Sequence, residues 1–173
     1  KQWTKQLGTS SVDKGNGVTV DSSGNIYVTG GTWGGLDGNT YSGNGDIFLV
    51  KYNSSWTKQW TKQLGTSKSE WGQDVTSDSS GNIYVTGSTE GGLDGNTNSG
   101  EEDIVLIKYN SSGTKQWTKQ LGTSSDDSGN GVSTDSSGNI YVTGYTKGGL
   151  DGNTNSDKSD IILIKYNSSG TKQ

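Results

Sequence analysis

The sequence contains no cysteine, histidine, methionine, proline, arginine or alanine. Without cysteine it has no disulfide framework, no thiol nucleophile and no zinc–thiolate site. Without histidine it has no Ser-His-Asp triad, no imidazole base and no histidine metal cluster. No apolar run approaches the roughly 18 residues of a membrane-spanning helix, so no membrane partner is expected. All 14 basic residues are lysine, the formal net charge is −4 and the pI is near 4.7. That balance offers no electrostatic footprint for nucleic acid. Leu, Ile, Val and Phe supply 29 of 173 residues, about 17%, below the roughly 20% at which disorder becomes an option. Against disorder stand 6 Trp, 8 Tyr and 1 Phe, with 29 Gly. Such a composition suits a glycine-rich all-β protein. The chain opens on Lys1 rather than Met and shows no signal peptide, which reads as an excised or processed piece.

Internal repetition decides the architecture. KQWTKQLGTS begins at Lys1, Lys58 and Lys115, and KQ begins again at Lys172, a constant spacing of 57 residues. The chain is therefore three tandem repeats, 1–57, 58–114 and 115–171, with 172–173 starting a fourth. Aligned without gaps, 40 of the 57 repeat positions are identical in all three copies and 17 vary. Such identity reports recent duplication or deliberate building.

Each repeat holds four short runs rich in Val, Ile, Tyr, Trp and Thr, separated by turn residues. In the first copy they are Gln2 to Gly8, Gly17 to Asp21, Asn25 to Gly31 and Asp46 to Tyr52. DSSGN, from Asp21 to Asn25, predicts a tight hairpin in which Gly24 takes a positive φ. NSSG repeats the device at Asn110 to Gly113 and Asn167 to Gly170. In the first copy Trp56 replaces that glycine, so this turn should be strained or open. DIFLVKY and DIILIKY are apolar on both faces, as a strand sandwiched between two sheets requires. Four antiparallel strands per repeat, repeated without a break, predict the blades of a β-propeller. Trp3, Trp60 and Trp117 recur once per repeat and are expected to wedge between blades.

DSSGNIYVTG stands identically at Asp21, Asp78 and Asp135, followed by a Gly-rich stretch and then DIxLxKYNSS. In these residues the chain resembles the SBBP-type bacterial β-propeller repeat family, over essentially its whole length. The resemblance implies a propeller in bacterial proteins that are often extracellular or surface-attached, so a secreted or cell-surface location is expected. It implies no chemistry, because blades rather than an active site define the family.

Propellers usually close with roughly four to eight blades, and three flat sheets leave wide gaps. Residues 1–8 would be an orphan edge strand, and the last blade would lack its fourth strand. The expected repair is for strand 1–8, with Trp3 and Leu7, to complete a blade of another chain. A homodimer of six blades is favoured, and a homotrimer of nine is the alternative. A piece cut or engineered for assembly, with no ligand of its own, is a further reading.

The long connections, Thr9 to about Asn16 and about Thr32 to Gly45, share one rim. Repeat positions 11–14, 16, 31, 33, 41 and 43–45 vary there, so the rim is diversified over a constant scaffold. Drift in slack packing explains this as well as recognition does. Trp33, Tyr41, Trp71 and Tyr145, with Glu90 and Lys147, are the candidate ligand-binding residues. Aromatics beside Asn, Asp and Lys suit a lectin-like glycan site, with a protein ligand as the alternative. Glu90 and Lys147 share the repeat position of Trp33, so three equivalent pockets are not expected. Asp94, Asn96 and Asn98 have the spacing of a calcium-loop start, with Asp103 as a later acid. The match then fails, since Ser99 stands where glycine is needed, and turn chemistry is the commoner explanation of these residues. No resident cofactor is expected. Acids identical in all three copies lie at turns and strand starts, where capping accounts for them, so the chain is expected not to be an enzyme.

Overall fold

A computed structural model describes residues 2–173. Eleven strands fall into three antiparallel sheets. The first contains β1 (Asp13–Val20), β2 (Ile26–Thr32), β3 (Asp46–Tyr52) and β4 (Lys58–Leu64), in that order. The second contains β5 (Glu70–Ser77), β6 (Ile83–Thr89), β7 (Asp103–Tyr109) and β8 (Lys115–Leu121). The third has only β9 (Asp127–Thr134), β10 (Ile140–Thr146) and β11 (Asp160–Tyr166). Each sheet is one blade, and each fourth strand is contributed by the start of the following repeat. The blades stack first on second and second on third without closing into a ring.

The tight hairpins form as their residues dictate. The Gly24 N–H donates to the Asp21 carbonyl at 2.9 Å with Gly24 at φ 77°. The Asp21 carboxylate accepts from the Ser23 and Asn25 N–H groups, the Asn25 side chain and the Tyr27 hydroxyl. The turn at Trp56 is closed: the Trp56 N–H donates to the Asn53 carbonyl at 2.8 Å. Its strain is real, for Trp56 sits at φ 58°, a region costly for an L-residue.

One strand assignment needs correction. The second run was expected to start at Gly17, whereas β1 starts at Asp13. Asp13 seeds the strand because its carboxylate accepts from the Thr9 N–H at 2.6 Å and the Thr32 hydroxyl at 2.5 Å. The intervening KGNG is accommodated by a bulge between Gly15 and Gly17. Opposite it a Cβ on Gly30 would lie 1.8 Å from the Lys14 carbonyl oxygen, so only glycine fits. Residues 2–8, expected as an orphan edge strand, pair with no strand of this chain, whereas 59–65 and 116–122 have the same sequence and lie largely in β4 and β8. Lys1, the first residue of that expected strand, lies outside the described residues.

The core consists of the two joints between blades. At the first, Tyr27, Ile47 and Leu49 on the back of blade one meet Val75, Val85 and Ile107 on the front of blade two. At the second, Tyr84, Ile104 and Leu106 meet Val132, Val142 and Ile164. Trp60 lies 6.1 Å from Tyr27 and Trp117 lies 6.2 Å from Tyr84, centroid to centroid. Each ring also abuts the next blade's hairpin, at Gly113 and Gly170, where a Cβ would come within about 3.0 Å of it. Both tryptophans are therefore wedges at the outer end of a joint.

Candidate functional site

Antiparallel order places the connections after the second and fourth strands of each blade on one rim. The other connections, the tight hairpins, occupy the opposite rim. Earlier strand starts move repeat positions 13, 14 and 16 out of the loops and into β1, β5 and β9, while position 31 lies within the second strand of each blade. Within the eight positions of β1, six vary among the copies: 13, 14, 16, 17, 19 and 20. These first strands neighbour one another across the joints. The Asn16 side chain donates to the Gly72 carbonyl at 2.8 Å, and the Asp74 carboxylate accepts from the Val132 N–H at 2.9 Å. Variation thus runs along the adjoining first strands as well as the rim loops, which the sequence reading underestimated.

The rim differs from joint to joint. At the first joint Trp33 and Trp71 pack edge-on with ring centroids 4.6 Å apart, and the Lys14 ammonium lies 5.6 Å from the Trp71 ring centre. Trp71 is the second residue of β5 rather than part of a loop. At the second joint Lys68, Glu90, Glu101, Glu102 and Asp126 line an open hollow. There Lys147 forms an ion pair with Asp126 and holds its carboxyl below the usual carboxylate range. The hydrogen-bonded Asp126 carboxylate in turn raises Glu101. Burial raises Glu102, reinforced by Asp126 and Glu90. Tyr145 is raised by burial and then by Glu102 and Asp126. Tyr41 stands apart, exposed on the loop of blade one.

The four residues with calcium-loop spacing are tied to separate partners. Asp94, at φ 54°, pairs with Lys115 and the Thr118 hydroxyl. Asn96 donates to the Leu93 carbonyl at 2.7 Å. Asn98 donates to the Glu90 and Glu101 carbonyls and accepts from the Gly100 N–H. Asp103 accepts from the Ser99 N–H and the Gln120 side chain, each at 2.9 Å, through one oxygen. Its second oxygen is buried without a partner. Among the described residues no group of three or more acids gathers as a metal site.

The largest departure from a finished core lies at the two ends of the stack. Ile47, Leu49, Ile104 and Leu106 are each 1% exposed, yet their counterparts in the last blade, Ile161 and Leu163, are 90% and 74% exposed. Val18 on the front of blade one is 65% exposed, whereas Val75 is 3%. That front face, with Val28, Phe48 and Val50, lines a hollow of about 300 Å³ whose outer side is formed by Trp3, Lys5 and Leu7. Leu7 packs on Leu36, Phe48 and Val50, and the Trp3 ring lies 5.1 Å from that of Trp56. Sequence reasoning named Trp3 and Leu7 but missed Ile161, Leu163 and Val18. No local signal could have found them, since Ile, Leu and Val stand at the same repeat positions in all three copies.

The model of the SBBP β-propeller repeat matches three times, at residues 2–37, 59–94 and 116–151. A WD repeat-containing protein of Acanthamoeba polyphaga mimivirus is 27% identical, covering 96% of this chain and 15% of its own length. The regulatory protein FlaEY of Caulobacter vibrioides is 26% identical, covering 88% of this chain and 18% of its own length. The chain thus spans less than a fifth of the curated relatives it matches. Three matches of one repeat model, each beginning within an identical KQWTKQLGTS segment and running through the first two strands of a blade and the hairpin between them, place this chain in the SBBP β-propeller repeat family.

Proposed function

We propose that this chain is a non-enzymatic scaffold and recognition module that closes its propeller with a second copy of itself, six blades from two chains. The observation that carries this reading is the pair of unfinished end faces, the bare back of blade three and the front of blade one, where Val18 is exposed and residues 2–8 cover only part of the sheet. The back of blade three bears the residues buried behind blades one and two, and the front of blade one bears those buried in front of blades two and three. Each end face therefore fits a blade of this same sequence. Leaving them in water is unfavourable, and covering them removes the exposed apolar patches. The acids identical in all copies support a structural rather than catalytic use. Asp21 ties its hairpin, Asp37 pairs with Lys58, and Asp46 accepts from the Ser42 N–H and the Gln63 side chain. Recognition falls to the rim, and its description as a regulatory protein makes the Caulobacter relative consistent with that role. Light scattering coupled to size-exclusion chromatography, over a wide concentration range, tests the assembly. Twice the chain mass is the expected result, three times would mean nine blades, and a compact, cooperatively folded monomer overturns the reading.

A lectin-like use of the rim is favoured by one observation, the Trp33–Trp71 pair beside Lys14. Aromatic faces with a polar neighbour suit a sugar ring. A glycan array probed with wild type and Trp71→Ala decides it: retention lost in the variant supports the site, and no retention by wild type removes it.

A further inference from the structure

We infer that residues 2–8 already stand where the fourth strand of a preceding blade belongs, preset to pair with the free edge of β11 in a second copy. The inference rests on the self-assembly reading above and adds its register and its mechanism, docking without refolding. Four contacts carry it, each repeated at the internal joints. The Thr9 N–H donates to Asp13 at 2.6 Å, as the Thr66 N–H does to Glu70 at 2.7 Å and the Thr123 N–H to Asp127 at 2.5 Å. The Thr9 side chain closes over Gly34 as Thr66 does over Gly91 and Thr123 over Gly148. Leu7 packs on the front face of blade one as Leu64 and Leu121 pack on those of blades two and three. Trp3 lies against residue 56 as Trp60 lies against Gly113 and Trp117 against Gly170.

Residues 58–64 and 115–121 make these same contacts toward the blade that follows them. They differ from 2–8 in being held, along their other edge, by the preceding blade: paired with β3 and β7 and tied through Lys58–Asp37 and Lys115–Asp94. Residues 2–8 lack that pairing in this chain, and the β11 edge is occupied only at its end, where Lys172 bridges Tyr166 and the Gln173 N–H donates to the Lys165 carbonyl at 2.9 Å, so the open edge receives a partner from Trp3 onward. That bridge repeats the pairs Tyr52 with Lys58 and Tyr109 with Lys115, so β11 already displays the required register. Carrying the pairs Lys51–Trp60, Leu49–Lys62 and Ile47–Leu64 onto the open edges sets Lys165 opposite Trp3, Leu163 opposite Lys5 and Ile161 opposite Leu7. Two unpaired edges of matching register are complementary templates. The same docking lays Ile161 and Leu163 into the hollow in front of blade one. The occupant is a second copy because what fills the equivalent space at both internal joints is a blade of this sequence.

The absence of cysteine makes disulfide trapping free of background. Lys5→Cys and Leu163→Cys alter exposed side chains, so neither should disturb the isolated fold. Mixed and mildly oxidised, the two single variants should yield a covalent dimer, and neither alone should. The double variant should close into a covalent ring whose mass counts its chains. Lys5→Cys mixed with Ile161→Cys, two residues out of register, should cross-link at least tenfold more slowly. If wild type has twice the chain mass but 5 and 163 do not cross-link, or 161 reacts equally fast, the preset register is wrong while the ring stands. If wild type is a monomer at every concentration, both fall.

Discussion

Leu163 provides a test in which folding and assembly should separate, because one repeat position is sampled in three environments. Leu49 and Leu106 are 1% exposed within internal joints, and Leu163 is 74% exposed on the bare back of the last blade. Truncating a buried leucine to alanine costs about 2–5 kcal/mol, from lost transfer energy and the cavity left behind. Leu49→Ala and Leu106→Ala should therefore lower the unfolding free energy by that amount. Leu163→Ala should change the unfolding of the dilute monomer by less than about 0.5 kcal/mol, since its side chain is already in water. Its effect should emerge on association, where burying the side chain contributes about 2 kcal/mol per joint. A ring of two chains has two such joints, so the loss is about 4 kcal/mol, roughly a thousandfold in the dissociation constant. Sedimentation equilibrium over a concentration series measures the second quantity, and urea unfolding at high dilution measures the first. A dissociation constant within about threefold of wild type, or a monomer as destabilised as Leu106→Ala, would refute the argument.

Three further outcomes follow from the geometry. Gly87→Ala would place a Cβ 1.7 Å from the Trp71 carbonyl oxygen at the bulge of blade two, and should cost about 3 kcal/mol by thermal or urea unfolding. Gly95→Ala, at φ 79° with nothing within 4 Å, should cost only about 1 kcal/mol, and equal losses would refute the bulge argument. Trp56→Gly relieves a left-handed residue at φ 58° and should raise hairpin stability by up to about 1 kcal/mol. Because it also removes the ring packed on Trp3, trypsin should cleave faster at Lys5, and an unchanged rate would mean that contact does not hold the segment. Asp135 is held at about 2, below its ordinary 3.8, chiefly by the Asn139 side chain and then the Asn139 N–H. A lowered folded-state value stabilises the fold above the unfolded value and is lost as pH falls from about 4 to about 2. Asp78 follows the same direction: burial pushes it up, but hydrogen bonds from Asn82, Tyr84 and Ser80 together outweigh it. Urea midpoints should fall across that window in wild type and less steeply in Asp135→Asn, and parallel curves would count against the linkage.

The legible parts of this fold are those specified by neighbouring residues. DSSGN forms its hairpin because Asp21 caps it and Gly24 accepts the positive φ, both local properties. DIFLVKY is one strand of the expected length because its residues pack on both faces. The start of β1 was not legible, since KGNG reads as a loop until the Asp13–Thr32 bond and the bulge opposite Gly30 draw it into the sheet. Trp71 moved from loop to strand for that reason, and its ring meets Trp33 through a contact between residues 38 positions apart. The spacing of Asp94, Asn96 and Asn98 suggested converging oxygens, but the left-handed Asp94 turns its carboxylate toward Lys115 and Thr118 instead.

Taken alone, the sequence determined the 57-residue period, the short β-type runs set between turn residues, and the propeller repeat. Only the tertiary structure decided which identical residues are core. The first Ile and the Leu of DIFLVKY, DIVLIKY and DIILIKY occupy the same strand positions, and they are buried in two blades and bare, as Ile161 and Leu163, in the third. Backbone conformation follows from propensity and turn chemistry within a few residues, whereas burial depends on what is stacked against a sheet. Residues 2–8 make the same point from the other side. They have the composition of β4 and the contacts of β4 toward the blade in front, and what they lack is the neighbouring edge that would complete a strand.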